Sequence, residues 1–580
     1  MCGIAGVLGG RVEPGAAGPL IAALPHRGPD GIRTEDGPGW SVGHARLSII
    51  DLEGGWQPLH GAGSTVIGNG EIYNYVELAR DFQLEPVLST GSDFEPLLHL
   101  YAREGSEAFD RLRGMFAFCL IGADDCRWLV RDGFGIKPLY YVEEAGRLKF
   151  ASEPRALLPA PAERRLEPQR VEELLALGYT LGEDTIFKGV KRLKPGGTLS
   201  FKGASARDPE QGQLDLPWLS APARTFDSEA AAVEALDAVL EDSVRVHQRS
   251  DVPYGLFLSG GVDSATIATL MSRLNERPVT AYTCGFEAPG ARDERAQAEA
   301  VARALNLDWR EVSFGEADFW SVLPQAAWAL DEPTHDYAVL PTYKLAEAAR
   351  GTLTVILTGE GGDELFGGYG RYRRALRPRW LGGRPAEPQV KAPYLRDRGA
   401  GALDRWRHSA FEWATIYGGT TLQGAQVADI KTWLHGDLLL KLDRCLMAHG
   451  LEGRTPFLDN EVAAFAFNLP DRMKVRGKHG KWLLRKWLES RCPAADPWGR
   501  KKGFTVPVAD WIAPRAAELG PRIAGVQGVA EACDPEMVRA VFADEAHAAA
   551  RWPLLFYALW WTIHLGGAEP SEALKSLIEV

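Results

Sequence analysis

Two glycine-rich turns, each following a short apolar run without polar alternation, constrain this fold more than any other feature of the chain. Tyr254–Leu258 is one such run, the pattern of a parallel strand buried on both faces. It leads into Ser259-Gly260-Gly261-Val262-Asp263-Ser264, then into a helical stripe of Ile267, Leu270, Met271 and Leu274. Val279–Phe286 predicts a second strand and Asp293–Leu305 a second helix. Thr354–Leu357 predicts a third strand, opening into Thr358-Gly359-Glu360-Gly361-Gly362-Asp363-Glu364. Upstream, Asp227 or Ser228 can cap a helix with Val233, Leu236, Leu240 and Val244 on one face. Strand and helix alternating in this way predict a doubly wound parallel α/β sheet. From about Phe411 the pattern is mostly helical, and residues 376–408, rich in Arg, Pro and Gly, take no assignment. Trp552–Ala568 contains Pro553, His564 and Gly566-Gly567 and falls short of the ~20 residues of a membrane span, so it reads as a buried helix.

Residues 1 to about 205 have another texture. Short apolar runs such as Cys2–Leu8, Trp40–Ile50, Met115–Ile121 and Leu139–Val142 are punctuated by glycine, which predicts a mainly β layered domain with few helices. A lapse rich in Gly, Pro, Asp and Gln separates the two textures. The expected division is a domain at 2–205, a linker at 206–225 and a second domain at 226–580. Lys+Arg number 65 and Asp+Glu 77, so the net charge is 65 − 77 = −12, without the basic footprint of a nucleic-acid binder. The arginines at 371, 373, 374, 377 and 379 have only Tyr369 and Tyr372 interleaved, so no nucleic-acid partner is expected. The seven cysteines are irregularly spaced with no C-x-x-C, which suits a reducing compartment. With no signal peptide and no membrane span read from the sequence, a cytoplasmic location and no membrane partner are expected. The sequence leaves the oligomeric state open, a homodimer included.

Cys2 follows Met1 directly. With Met1 removed, Cys2 would carry both a thiol and a free α-amine whose pKa of ~7.7–8 suits a general base. A thiolate attacking an amide creates an oxyanion, which needs a backbone N–H and a side-chain amide aimed at one point. The adjacent Asn69 and Gly70 can supply one each. A free amino acid would also need its two charged ends read: Arg46 suits the carboxylate, Glu71 and Asp93 the ammonium. Taken singly, each of these residues also reads as a surface charge or a tight turn.

The turn Ser259–Ser264 presents backbone N–H groups and two hydroxyls at a helix N-terminus, an arrangement that binds phosphate. It lacks the G-K-[ST] of a Walker loop. A carboxylate there repels phosphate unless a metal lies between, so Asp263 is assigned to Mg²⁺. In an open α/β sheet the second glycine cluster can face the same nucleotide.

In their order and spacing, MCGIAGV, HRGPDG, HARLSIID, GNGEIYN, TGSD, LRGMFAF and RDGFGIKPLYY resemble the glutaminase domain of class II glutamine amidotransferases. The resemblance implies an N-terminal Ntn-hydrolase αββα sandwich. It implies Cys2 as nucleophile, Asn69 and Gly70 as oxyanion hole, and a glutamine site of Arg46, Leu47, Ser48, Ile49, Ile50, Asn69, Gly70, Glu71 and Asp93. SGGVDS, LTGEGGDELFGGY, DEPTHDYAVLPTY, KLDRCLMAHGLEGRTPFLD, GKWLLRK and KKGF resemble the synthetase domain of glutamine-dependent asparagine synthetases. That resemblance implies ATP on Leu258, Ser259, Gly260, Gly261, Asp263, Ser264, Cys284, Thr358 and Gly359. It implies Mg²⁺ on Asp263 and Asp363, with Glu360 and Lys481 serving acyl-adenylate formation. The implied partners are small molecules: glutamine, aspartate and ATP. Gly453 and Thr455 stand where alanine and valine are expected, which leaves open a different carboxylate acceptor for the same machinery.

Overall fold

A computed structural model of the chain describes residues 2–203, 205–206, 208–288, 294–417, 419–499 and 506–578. The KKGF motif at 501–504 lies outside the described residues.

Two six-stranded antiparallel sheets build the first domain. The first runs Lys191–Arg192, Tyr140–Glu144, Arg147–Ala151, Gly3–Leu8, Trp40–Arg46, Gly31–Gly37; the second runs Glu210–Gln213, Gly197–Lys202, Cys126–Arg131, Gly114–Ile121, Ser64–Ile72, Leu59–Gly61. Side chains alternate between layers, as a period of two requires. Ile4, Leu8, Ile67, Ala117 and Cys119 fill the space between the sheets. Their neighbours face outward: Ala5 and Ala45 meet Ile21 of the helix Gly18–Ala22, and Val66, Phe116 and Phe118 meet Leu97 and Leu98 of the helix Glu95–Glu104. Four layers, helix–sheet–sheet–helix, follow from that alternation, and Gly3–Leu8 lies inside its sheet with Cys2 at its start.

The second domain is built on a parallel sheet ordered Asp308–Phe314, Thr280–Phe286, Tyr254–Phe257, Val355–Leu357, Glu452–Arg454. In chain order this is 3-2-1-4-5. The order reverses between Tyr254–Phe257 and Val355–Leu357, and at such a switch point a crevice opens beyond the strands' carboxyl ends. Both glycine-rich turns leave from those two ends. Ser228 caps the helix Glu229–His247 by accepting from the Ala231 N–H, and Leu236, Leu240 and Val244 are buried. The late apolar stretch is the buried helix Arg551–His564, and no helix of the described residues is long and apolar enough to cross a membrane.

Four features depart from the expectations. Glu210–Gln213 lies in the stretch read as linker yet pairs with Gly197–Lys202, because an exposed edge strand needs only main-chain bonds and carries no apolar signal. Asp308–Phe314 is likewise a strand whose side chains are mostly exposed. The unassigned 376–408 holds a short turn at Arg379–Leu381 and the start of the helix Ala400–Tyr417. A nine-residue π-helix, Ile430–Leu438, runs directly into the helix Leu439–Met447.

Candidate active sites

The first centre forms around Cys2, which is half-buried. Its backbone N–H donates to Asn69 Oδ1 at 3.1 Å and its thiol to the Leu47 carbonyl at 3.7 Å. Burial pushes the thiol pKa up. Because Asn69 Oδ1 faces the Cys2 nitrogen, its Nδ2 is left buried without a protein partner. Gly70 follows at φ +125°, and a Cβ there would lie 1.9 Å from the Met115 carbonyl oxygen, so only glycine fits. The two groups named for the oxyanion are thus adjacent on the strand Ser64–Ile72, whose Asn69 meets Cys2.

Charge at this centre is unbalanced at both ends. Arg46 is buried; Nη2 donates to the Asp51 carbonyl at 2.6 Å, while Nη1 has no partner. Glu71 is buried with Oε2 unpartnered, and burial together with Glu452 and Asp93 holds its pKa well above the carboxylate range. Asp93 accepts from the Ile72 N–H at 2.7 Å, and its pKa is pushed up to about 7 by burial and by Glu452. Ser48 N–H donates to Asp30, and the Ile49 carbonyl accepts from Asp251 N–H, which fixes the 47–50 segment. One end therefore has an unused donor, Arg46 Nη1, and the other an unused acceptor, Glu71 Oε2.

The second domain completes this centre. Buried Arg454 lies 3.4 Å from Glu71 and donates to Glu452 at 2.6 Å. Arg27 of the HRGPDG turn is also buried: Nε donates to the Cys2 carbonyl at 3.2 Å, and Nη1 reaches Glu153 and Asp443, each at 2.7 Å. Sequence reasoning did not place Glu452, Arg454, Arg27 or Asp443 at a site. For Glu452, Arg454 and Asp443 the signal was charge embedded in apolar motifs, LEGRTPFLD and KLDRC, and for Arg27 the polar turn HRGPDG. The Gly453 carbonyl accepts from Lys137 of the first domain at 3.4 Å, and neither Gly453 nor Thr455 lines the nucleotide cavity. A Cβ on Gly453 would sit 3.0 Å from Leu442, and Thr455 Oγ1 is buried without a partner. Leu442 lies on the helix Leu439–Met447, so a side chain at 453 would press on packing within the second domain.

The second centre is a cavity of about 370 Å³ at the switch point. It is lined by Leu258, Ser259, Gly260, Gly261, Asp263, Ser264, Cys284, Thr358, Gly359, Glu360, Asp363 and Lys481, so every synthetase-side residue named from the sequence converges here. Ser264 Oγ lies 2.9 Å from Ser259 Oγ and donates to the Ser259 carbonyl at 3.0 Å, which pins the turn at the start of the helix Val262–Leu274. Glu360 lies 3.6 Å from Lys441, whose Nζ donates to Asp336 at 2.8 Å. Burial raises the Glu360 pKa, and Lys441 opposes that rise. Tyr369 donates to Glu364 at 2.5 Å, and burial pushes Glu364 up to about 8. Lys441, Glu364, Tyr369 and Arg485 line the cavity without having been named as site residues.

Lys481 stands just outside a helix. It is the residue before the helix Trp482–Arg491, at φ +56°, a conformation that non-glycine residues adopt only when the surroundings impose it. Its Nζ is ion-paired to Asp263 and, at 2.7 Å, to Asp363. A Cβ on Gly368 would fall 1.8 Å from Asp363 Oδ1 and 2.3 Å from Lys481 Cε, so glycine is what lets the two side chains meet. Two carboxylates converging on one point form a hard-oxygen donor pair of a kind that fits Mg²⁺.

The helix Leu439–Met447 touches both centres. Lys441 reaches Glu360 in the nucleotide cavity, and two residues on, Asp443 holds Arg27, which holds the Cys2 carbonyl. The fold and the paired sites define an enzyme in which a glutamine amidotransferase domain serves an ATP-dependent ligase domain. Residues 1–211 match the glutamine amidotransferase domain family, and residues 235–563 match the asparagine synthase family. A putative glutamine-hydrolysing asparagine synthetase of Mycobacterium bovis is 33% identical, covering 97% of this chain and 97% of that protein. Asparagine synthetase 1 of Bacillus subtilis is 33% identical over 84% of this chain and 83% of its own. Asparagine synthetase B of Escherichia coli is 29% identical over 85% and 79%. The chain belongs to the glutamine-hydrolysing asparagine synthetase family. Its activity is the ATP-dependent amidation of aspartate with nitrogen from glutamine.

Proposed function

We propose that Cys2, with Met1 removed, is the nucleophile of the glutaminase reaction and that its α-amine takes the thiol proton. The sulfur adds to the side-chain carbonyl of glutamine, the C–N bond breaks, ammonia leaves with a proton, and water then cleaves the thioester to glutamate. Asn69 Nδ2 and the Gly70 N–H stabilise the oxyanion. Arg46 takes the substrate carboxylate, Glu71 and Asp93 take the ammonium, and residues 47–50 wall the site. The observation that carries this reading is the pair of complementary vacancies in hydrogen bonding: Arg46 Nη1 at one end, Glu71 Oε2 at the other.

A pH dependence tests it. Asp93, raised to about 7, is protonated below that pH and must lose its proton to receive an ammonium. In Cys2→Ala, which removes the thiol's own titration, glutamine affinity measured by calorimetry should fall by about tenfold per pH unit below 7. An affinity flat between pH 7.5 and 5.5 would remove Asp93 from the ammonium site.

In the second domain we assign the ATP pyrophosphate to the turn Ser259–Ser264, the adenosine to Leu258, Cys284, Thr358 and Gly359, and Mg²⁺ to Asp263 and Asp363. Mg²⁺ supplies charge neutralisation of the phosphates. Lys481 stabilises charge on the α-phosphate as aspartate attacks it, giving β-aspartyl-AMP and pyrophosphate. Glu360, on the wall of the same cavity, serves this adenylation step with Lys481, and ammonia then displaces AMP and loses a proton to water. Without nucleotide, Lys481 occupies the point on which both carboxylates converge. Lys481→Ala should therefore bind Mn²⁺ without ATP at least about tenfold more tightly than the parent, read by electron paramagnetic resonance of free Mn²⁺. Equal binding would show that these two carboxylates are not the metal's ligands. The catalytic units we propose are residues 2–213 and 226–580.

A further inference from the structure

Outside both centres lies a cavity of about 820 Å³, within the range of sites for small organic molecules. It is walled by residues 161–172 of the first domain, by 395–397, and by the C-terminal helices Gln527–Ala532 and Arg551–His564. Tyr557 and Trp561, one turn apart on the last of these helices, and Leu565 give it an apolar, aromatic side.

Its polar lining includes four donors without an anionic partner among the described residues: Arg164, Arg165, Arg396 and Tyr557. Tyr557 is 1% exposed, yet its hydroxyl makes no hydrogen bond among the described residues. Arg164 donates to two carbonyls, Pro159 at 3.0 Å and His564 at 2.5 Å, and forms no ion pair among the described residues; burial depresses its pKa. Arg165 bonds only carbonyl oxygens, and Arg396 forms no ion pair among the described residues. The acids in the same wall are already engaged. Asp397 accepts from Gly399 and Gly401 N–H, Glu172 pairs with Arg405 at 3.1 Å, and Glu531 accepts from Gln527 at 2.9 Å. Three guanidinium groups without carboxylate partners and one hydroxyl without a hydrogen-bond partner, all among the described residues, therefore line a cavity with an aromatic wall.

We propose that this cavity is a second ligand site, and that it takes an aromatic or heteroaromatic molecule carrying a carboxylate, sulfonate or phosphate. The ring lies along Tyr557 and Trp561, the anionic oxygens meet Arg164 and Arg396, and Tyr557 donates the directional hydrogen bond. Because residues 161–172 and 527–565 both wall it, its occupant bridges the two domains.

The probe is 1-anilinonaphthalene-8-sulfonate, titrated into the full chain and followed by its fluorescence. One saturable site is expected, unaffected by saturating Mg·ATP, which fills the other cavity. Arg396→Ala, which removes no bond of the fold, should weaken binding by about tenfold, as loss of one charged contact does. Tyr557→Phe should weaken it by a smaller factor, and the uncharged N-phenyl-1-naphthylamine should bind at least about tenfold less tightly. Displacement of the probe by Mg·ATP, equal binding of the neutral analogue, or unchanged affinity in both variants would each overturn the proposal.

Discussion

Replacing Cys2 by alanine is expected to lower glutamine-dependent asparagine synthesis by at least about 10³-fold while ammonia-dependent synthesis stays within about twofold of the parent. The separation follows from where the groups sit. Cys2 and Asn69 belong to the antiparallel sandwich, whereas the nucleotide cavity is built on the loops of the parallel sheet. What joins them is the chain of contacts from the Cys2 carbonyl through Arg27 and Asp443 to the helix bearing Lys441, and it involves only the Cys2 main chain. Truncating the side chain therefore leaves that link intact. N-terminal sequencing of the parent should find Cys2 as the first residue, since a retained Met1 would leave the thiol without its amine base. An equal loss of both activities would mean that the thiol also supports the synthetase half.

The sequence exposed both centres because local chemistry there is dense. Ser259–Ser264 and Thr358–Gly368 are turns whose glycines and carboxylates have no other economy of use in a strand–helix connection, and both fall at the switch point. Less legible were features created by long-range contact. Arg27 and Asp443 meet across 416 positions, and nothing near either residue announces the other. Arg454 and Glu452 sit on a three-residue strand, too short and too polar to read as one, and yet it is the edge of the parallel sheet and brings Arg454 within 3.4 Å of Glu71. Asp308–Phe314 was hidden by the opposite cause, since an exposed edge strand carries charge where a buried one would carry valine. The position of Lys481 between two aspartates could not be read at all, because it depends on a left-handed backbone and on the absence of a side chain at Gly368.

That placement makes Lys481→Ala the most informative substitution in the synthetase half. Pyrophosphate release under saturating ATP and aspartate is expected to fall by about 10²–10³, about 3–4 kcal/mol of barrier, with a smaller change in ATP affinity. As the carboxylate of aspartate attacks, negative charge grows on the non-bridging oxygens, and a fixed ammonium stabilises that state more than the ground state. Lys481 is 3% exposed, so its charge acts through little intervening water. Substitution also leaves Asp263 and Asp363 facing one another, which costs stability and must be separated from the effect on rate. Lys481→Arg provides the separation: it keeps a cation against the two carboxylates and so restores folding, but a bulkier planar group cannot deliver a point charge to the same place. Normal thermal stability with a rate still depressed by at least about tenfold in that variant locates the effect in the transition state. A rate within about threefold of the parent in Lys481→Ala, far short of the loss of one such group, would mean that the lysine serves only to hold the two aspartates together.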